Sequence, residues 1–126
     1  MAKEKRESIE IDTKTSSTVK HIEFNGKRYP VDSHGFLTNS AKWDDNWVTH
    51  VQKEEDIENF TKEHTRLWQK VKAHHEKIGL IPSASRWEKE TGFLLEKTYQ
   101  LFADGPRGVC KMVGVSREEF NIGFFR

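Results

Sequence analysis

Seven residues fix the longest element of this chain. Phe60, His64, Leu67, Trp68, Val71, His75 and Ile78 fall at offsets 0, 4, 7, 8, 11, 15 and 18. At about 100° per residue they share one stripe about 100° wide, the mark of a helix with one buried face. Thr61 is a good N-cap, Gly79 is a natural C′ residue, and Pro82 blocks simple continuation. The spacing predicts a core helix over about residues 62–78, around which the rest must pack.

Upstream, His21–Phe24 and Arg28–Val31 flank Asn25-Gly26, the strongest short hairpin signal because both turn residues tolerate positive φ. A second turn at Ser33-His34-Gly35 leads into Phe36-Leu37-Thr38, which predicts a meander of three short strands. Trp43, Trp47, Val48 and Val51 share a helical face and predict a helix at about 44–54, with Asp44 and Asp45 in its first turn.

Downstream, Ser85-Arg86-Trp87-Glu88 fits a capping box for a short helix at 86–91. Leu94, Leu95, Tyr99, Leu101 and Phe102 predict a helix at about 93–102, and Pro106 can open another at about 106–113. Ser116-Arg117-Glu118-Glu119 reads as a second capping box, with a helical turn near 117–122. The class is α+β: a small N-terminal antiparallel meander packed on an orthogonal array of about five helices.

Composition bounds what this fold can do. Hydrophobic residues are 34% of 126, and eight Phe, four Trp and two Tyr supply a modest core of large rings. Residues 1–20 mix five basic and four acidic side chains with three large aliphatics, and read as a disordered leader without the apolar segment of a secretory signal. No apolar run approaches a membrane span. One cysteine, Cys110, excludes an internal disulfide and suits the reducing cytoplasm.

Net charge is +1 but unevenly spread. Residues 42–60 carry two basic and six acidic side chains, whereas residues 61–91 carry seven basic and four acidic ones. The strong basicity of a dedicated nucleic-acid binder is missing.

Several stretches together carry a family resemblance. They are Val31-Asp32-Ser33-His34-Gly35-Phe36-Leu37, Trp43-Asp44, Thr61-Lys62-Glu63-His64, Ile81-Pro82 with Arg86, and Tyr99-Gln100-Leu101-Phe102-Ala103-Asp104-Gly105-Pro106, followed by Cys110-Lys111-Met112-Val113-Gly114-Val115. In order and spacing they resemble the DsrC/TusE family of sulfite reductase gamma subunit-like sulfur-relay proteins. The resemblance implies a domain over residues 21–115 and a C-terminal arm over 116–126. It also implies a cysteine near the arm's end that exchanges sulfur with sulfite reductase-like or sulfurtransferase-like partners. Here the arm ends Gly123-Phe124-Phe125-Arg126, with no cysteine. Cys110 matches an upstream cysteine that some members have, though with one residue fewer after Gly-Pro.

Cys110 is therefore the one sulfur-carrier candidate, with Arg107 and Lys111 near enough in sequence to lower its pKa. The alternative is a small buried hydrophobe on a core helix. Phe120, Phe124, Phe125 and Arg126, with Arg107 and Lys111, are candidates for partner binding; the aromatic tail either folds back or anchors in a partner. His64, His74 and His75 lack a chelating spacing, so no metal or other cofactor is expected. Arg86 and Lys89, backed by Lys70, Lys72 and Lys77, are DNA-contact candidates in a helix-turn-helix outline whose turn is longer than usual.

Three functions follow. The residues favour most a non-enzymatic accessory or regulatory protein that docks a protein partner and does not relay sulfur through its arm. The second is a sulfur carrier using Cys110 alone, and the third is a DNA-binding regulator.

Overall fold

The structure, a computed structural model, describes the backbone of residues 6–12 and 17–126 and the side chains from Lys20 onward. Three antiparallel strands, β1 (Arg6–Asp12), β2 (Ser17–Phe24) and β3 (Lys27–Val31), form one sheet in the order β1-β2-β3. Six helices follow: α1 (Asp45–Glu54), α2 (Lys62–Ile78), α3 (Trp87–Thr91), α4 (Leu95–Leu101), α5 (Pro106–Val113) and α6 (Arg117–Phe124). The α+β class and the bounds of α2 and α5 match the sequence expectation.

The sheet departs from that expectation at both ends. The reading of residues 1–20 as a structureless leader gives way over 6–12 and 17–20, where β1 pairs with β2 from Arg6↔Glu23 to Asp12↔Ser17. Residues 1–5 and 13–16 lie outside the described residues. Mixed charge argues against burying a core, but an edge strand needs only backbone pairing, and Ile9 and Ile11 alternate with polar residues as a strand does. The expected third strand at Phe36–Thr38 is a single bridge, Val31↔Leu37. Asp32 explains this, because its Oδ1 accepts from the backbone N–H of His34 (2.8 Å) and of Phe36 (3.0 Å), an Asx-type turn that tucks Phe36 and Leu37 inward.

Asn25 (φ 51) and Gly26 (φ 79) make the β2–β3 turn with the paired positive φ of a type I′ hairpin. The hairpin is tied to α1 through Asp44. This N-cap carboxylate accepts from Trp47 N–H at 3.0 Å and from Tyr29 Oη–H at 2.6 Å, and it pairs with Lys27. Asn46 Nδ2 donates to the Phe24 carbonyl at 2.9 Å. Burial, then the Asp44 hydrogen bond, pushes the Tyr29 phenol up to about 12.

Burial alone would raise the Asp44 pKa, but hydrogen bonds from Lys27, Tyr29 and Trp47 outweigh it and hold the carboxyl below its ordinary 3.8. A depressed carboxylate adds stability that is present above its unfolded pKa and is lost as pH falls through the folded one. Asp44→Asn is expected to cost about 1 kcal/mol at neutral pH. Urea midpoints of the two proteins should converge below about pH 4. A gap that persists in acid would show that the charge is not what Asp44 contributes.

The core lies where α1 and α2 pack on α5. Trp43, in extended backbone just before α1, and Trp47, on α1, send their Nε1–H groups to consecutive carbonyls at the end of α5, Met112 O (2.9 Å) and Lys111 O (2.8 Å). His64 is buried and neutral: burial lowers its pKa, Nδ1 accepts from Thr61 N–H (3.0 Å), and Nε2–H donates to Leu101 O (2.9 Å). That reciprocal contact closes the N-terminus of α2 with a histidine where a capping box usually has a carboxamide or carboxylate.

The predicted stripe holds through Val71 and then opens. Ile78 is 53% exposed, and His75 Nε2 faces Glu119 at 3.5 Å. The Ser85–Glu88 capping box does not form. Ser83 instead leads a 3-10 turn over Ala84–Arg86, and α3 begins at Trp87 without a side-chain cap. Trp87 is buried and donates from Nε1 to Thr98 Oγ1 at 2.9 Å.

Candidate functional site

Cys110 sits on α5, a helix whose Val109, Cys110, Met112 and Val113 are all buried. Its thiol has no exposed surface, and burial alone pushes its pKa up. The flanking cations do not activate it. Lys111 Nζ reaches Glu55 Oε2 at 3.4 Å with only 14% of its side chain exposed. Arg107 lies over the Phe36 ring at 5.2 Å and pairs with Asp104 at 3.4 Å. Both are paired with carboxylates, and the expectation that they lower the Cys110 pKa fails because burial of the thiol dominates. Glu55, desolvated by burial and only partly relieved by Lys111, has a raised pKa. It lies so close to α5 that a Cβ on Gly108 would meet its Oε1 at 2.7 Å.

The C-terminal segment folds back as α6. Ser116 Oγ accepts from Glu119 N–H at 3.1 Å and Glu119 Oε1 accepts from Ser116 N–H at 3.2 Å, the expected capping box. Phe120 is buried and stacks on Phe124 at 5.1 Å, and Phe124 meets Trp87 edge-on at 5.9 Å. Gly123 lets the helix lie against the α2–α3 connection, since a Cβ there would meet Ile81 Cγ1 at 2.6 Å. Arg126 closes the segment by donating from Nη2 to Ile81 O at 2.9 Å. The aromatic tail thus divides: Phe120 and Phe124 belong to the body, whereas Phe125 is 70% exposed and Ile122 66%.

The DNA-contact candidates are not gathered into a cationic face. Arg86 is paired with Glu90 at 3.1 Å, and Lys89 stands between Glu88 and Glu90 on a five-residue helix. Lys72 lies over the Trp43 ring at 3.8 Å and pairs with Glu76 at 3.4 Å. His74 Nδ1–H donates to Leu80 O at 2.7 Å. Among the described residues no group of three or more His, Cys, Asp or Glu could hold a metal ion, and no helix is long and apolar enough to cross a membrane.

One surface was not anticipated. Two grooves run beside α2 and share Arg66 as a wall. One, of about 430 Å³, is lined by Phe60, Thr61, Lys62, Thr65, Arg66 and Gln69. The other, of about 480 Å³, lies between α2 and the start of α4 and includes Glu63, Lys70, Phe93, Leu94 and Lys97. The sequence signal was the i, i+4, i+8 recurrence of Lys62, Arg66 and Lys70, opposite the apolar stripe. It reads locally as an ordinary solvated face, because Leu94 and Lys97 reach the same place only through the tertiary fold.

Comparison with known proteins places this geometry. The family model described as DsrC like protein matches residues 23–119. The gamma subunit of dissimilatory-type sulfite reductase from Nitratidesulfovibrio vulgaris (strain Hildenborough) is 33% identical over 97 residues, covering 76% of this chain and 92% of that protein. The crystal structure of dissimilatory sulfite reductase I contains a chain similar to this one at a TM-score of 0.70 and 31% identity, covering 75% of this chain and 92% of that chain. The solution structure of the DsrC/gamma subunit from Pyrobaculum aerophilum gives a TM-score of 0.61 and 36% identity, covering 73% and 85%. With that family model spanning most of the chain and relatives of this identity, the chain belongs to the DsrC-like family.

Proposed function

We propose that this chain is an accessory or regulatory member of the DsrC-like family in cytoplasmic sulfur metabolism, one that docks a sulfite reductase-like protein complex without passing sulfur through an arm cysteine. One observation carries the reading: the C-terminal segment, thiol-free, is folded onto the domain as α6 while the chain's single thiol is sealed in the core. Thiol and persulfide exchange require a thiolate within reach of the partner sulfur. Neither requirement is met at Cys110, and residues 116–126 contain no cysteine. What the family fold retains is a shape. The curated relative is named as a subunit of sulfite reductase, which makes a complex of that kind the first partner to try.

The test is sedimentation of the full chain with a purified dissimilatory sulfite reductase stripped of its gamma subunit. Saturable co-sedimentation, unchanged in Cys110→Ser, is expected. No association, or association that requires the Cys110 thiol, would overturn the reading. Neither alternative has an observation in its favour: Cys110 as a lone carrier needs exposure that it lacks, and DNA reading through α3 needs a basic helix face that its glutamates occupy.

A further inference from the structure

We infer that the two grooves along α2 form a binding site for an acidic peptide segment of a partner protein, held by Lys62, Arg66 and Lys70 and anchored by one apolar side chain against Leu94. The inference rests on the reading above only in taking the partner to be a protein.

Several cations of the helical half already face a carboxylate. Lys72 has Glu76, Arg86 has Glu90, Arg107 has Asp104, Lys111 has Glu55 and Arg117 has Asp32. Lys62, Arg66 and Lys70 are exposed and have no carboxylate partner among the described residues. The one acidic residue lining either groove, Glu63, is taken by Lys97 at 3.2 Å. Four cations therefore face a single carboxylate, and the surplus calls for an anion.

Geometry selects the class of anion. Eight residues of helix separate Lys62 from Lys70, a rise of about 12 Å, the length of about four extended peptide residues. Leu94 is 53% exposed at the far wall, above buried Phe93, and Gly92 beside it leaves open space where a side chain would stand. A cationic stripe with an apolar notch suits a short acidic segment carrying one hydrophobic residue. A nucleic acid fits worse, because the cationic stripe is only about 12 Å long and the chain's net charge is only +1.

The experiment is an amide-resolved NMR titration of the full chain with a capped peptide of glutamates around a central leucine. The same peptide with glutamines, and an oligothymidylate, serve as comparisons. Saturable shifts confined to residues 62–70 and 92–97 are expected. The glutamine peptide should bind about tenfold more weakly, as should Arg66→Glu, an exposed change that leaves the core intact. Shifts scattered over the whole surface, or equal affinity in Arg66→Glu, would overturn the inference. Tighter binding of the oligothymidylate through the same amides would make the grooves a nucleic-acid surface and overturn it equally. If the sulfite reductase core docks equally well to Arg66→Glu, the groove fails while the docking function stands. If the peptide binds as expected and the core does not dock, the reverse holds.

Discussion

Trp47→Ala is expected to remove about 4 kcal/mol of folding stability. Trp47 is completely buried, with its ring tilted against Tyr29 at 5.2 Å and His50 at 4.9 Å. Truncating a buried tryptophan loses the transfer free energy of the ring and leaves a cavity that the neighbours fill only in part. The lost hydrogen bond adds little, because Lys111 O still accepts from Gly114 N–H at 3.2 Å. A small domain has about 5–15 kcal/mol in all, so the variant should sit near its unfolding threshold. Trp47→Phe keeps most of the packing and loses the N–H, and should cost about 1–2 kcal/mol. Urea unfolding followed by circular dichroism reads both. A loss below about 2 kcal/mol in Trp47→Ala would mean that the α1–α5 seam is not packed as described.

How much of this was legible in the sequence depended on whether a signal was local. The α2 stripe, the Asn25-Gly26 turn, Pro106 at the start of α5 and the Ser116–Glu119 box all state their geometry within a few residues, and each stands where its pattern puts it. Strand β1 was missed because its pairing draws on backbone groups, which composition does not report. Phe36–Thr38 was read as a strand because the competing device, a single aspartate side chain at Asp32, is invisible to alternation. Ile78 fits the stripe by angle but lies beyond the neighbours that would cover it.

The site was harder for the same reason. On α5 six of the eight residues are apolar or small and only Arg107 and Lys111 are charged, so periodicity cannot say which way Cys110 faces. The family resemblance supplied the question about that cysteine. Only the packing of α1 and α2 on α5 answered it. The tail posed a two-way choice between folding back and anchoring in a partner, and the fold divides it residue by residue: Phe120 and Phe124 pack on the body, whereas Ile122 and Phe125 stay exposed.

That division makes a sharp test of sulfur chemistry. In the native protein Cys110 should alkylate at least about a thousandfold more slowly than in denaturant, since reaction must wait for opening that costs several kcal/mol. Burial raises its pKa, so no inflection should appear below the ordinary thiol range of about 8.5. In Phe125→Cys the new thiol stands at a position 70% exposed. It should label at nearly the denatured rate while Cys110 in the same molecule stays protected. Oxidised without denaturant, this variant should form disulfide-linked dimers and no internal bridge, because a disulfide needs both sulfurs in reach and the core withholds one of them. Rapid native labelling of Cys110 in the unmodified chain, within about tenfold of the denatured rate, would mean that α5 opens readily. In that case the carrier function would pass back to Cys110, and the docking-only reading would fall.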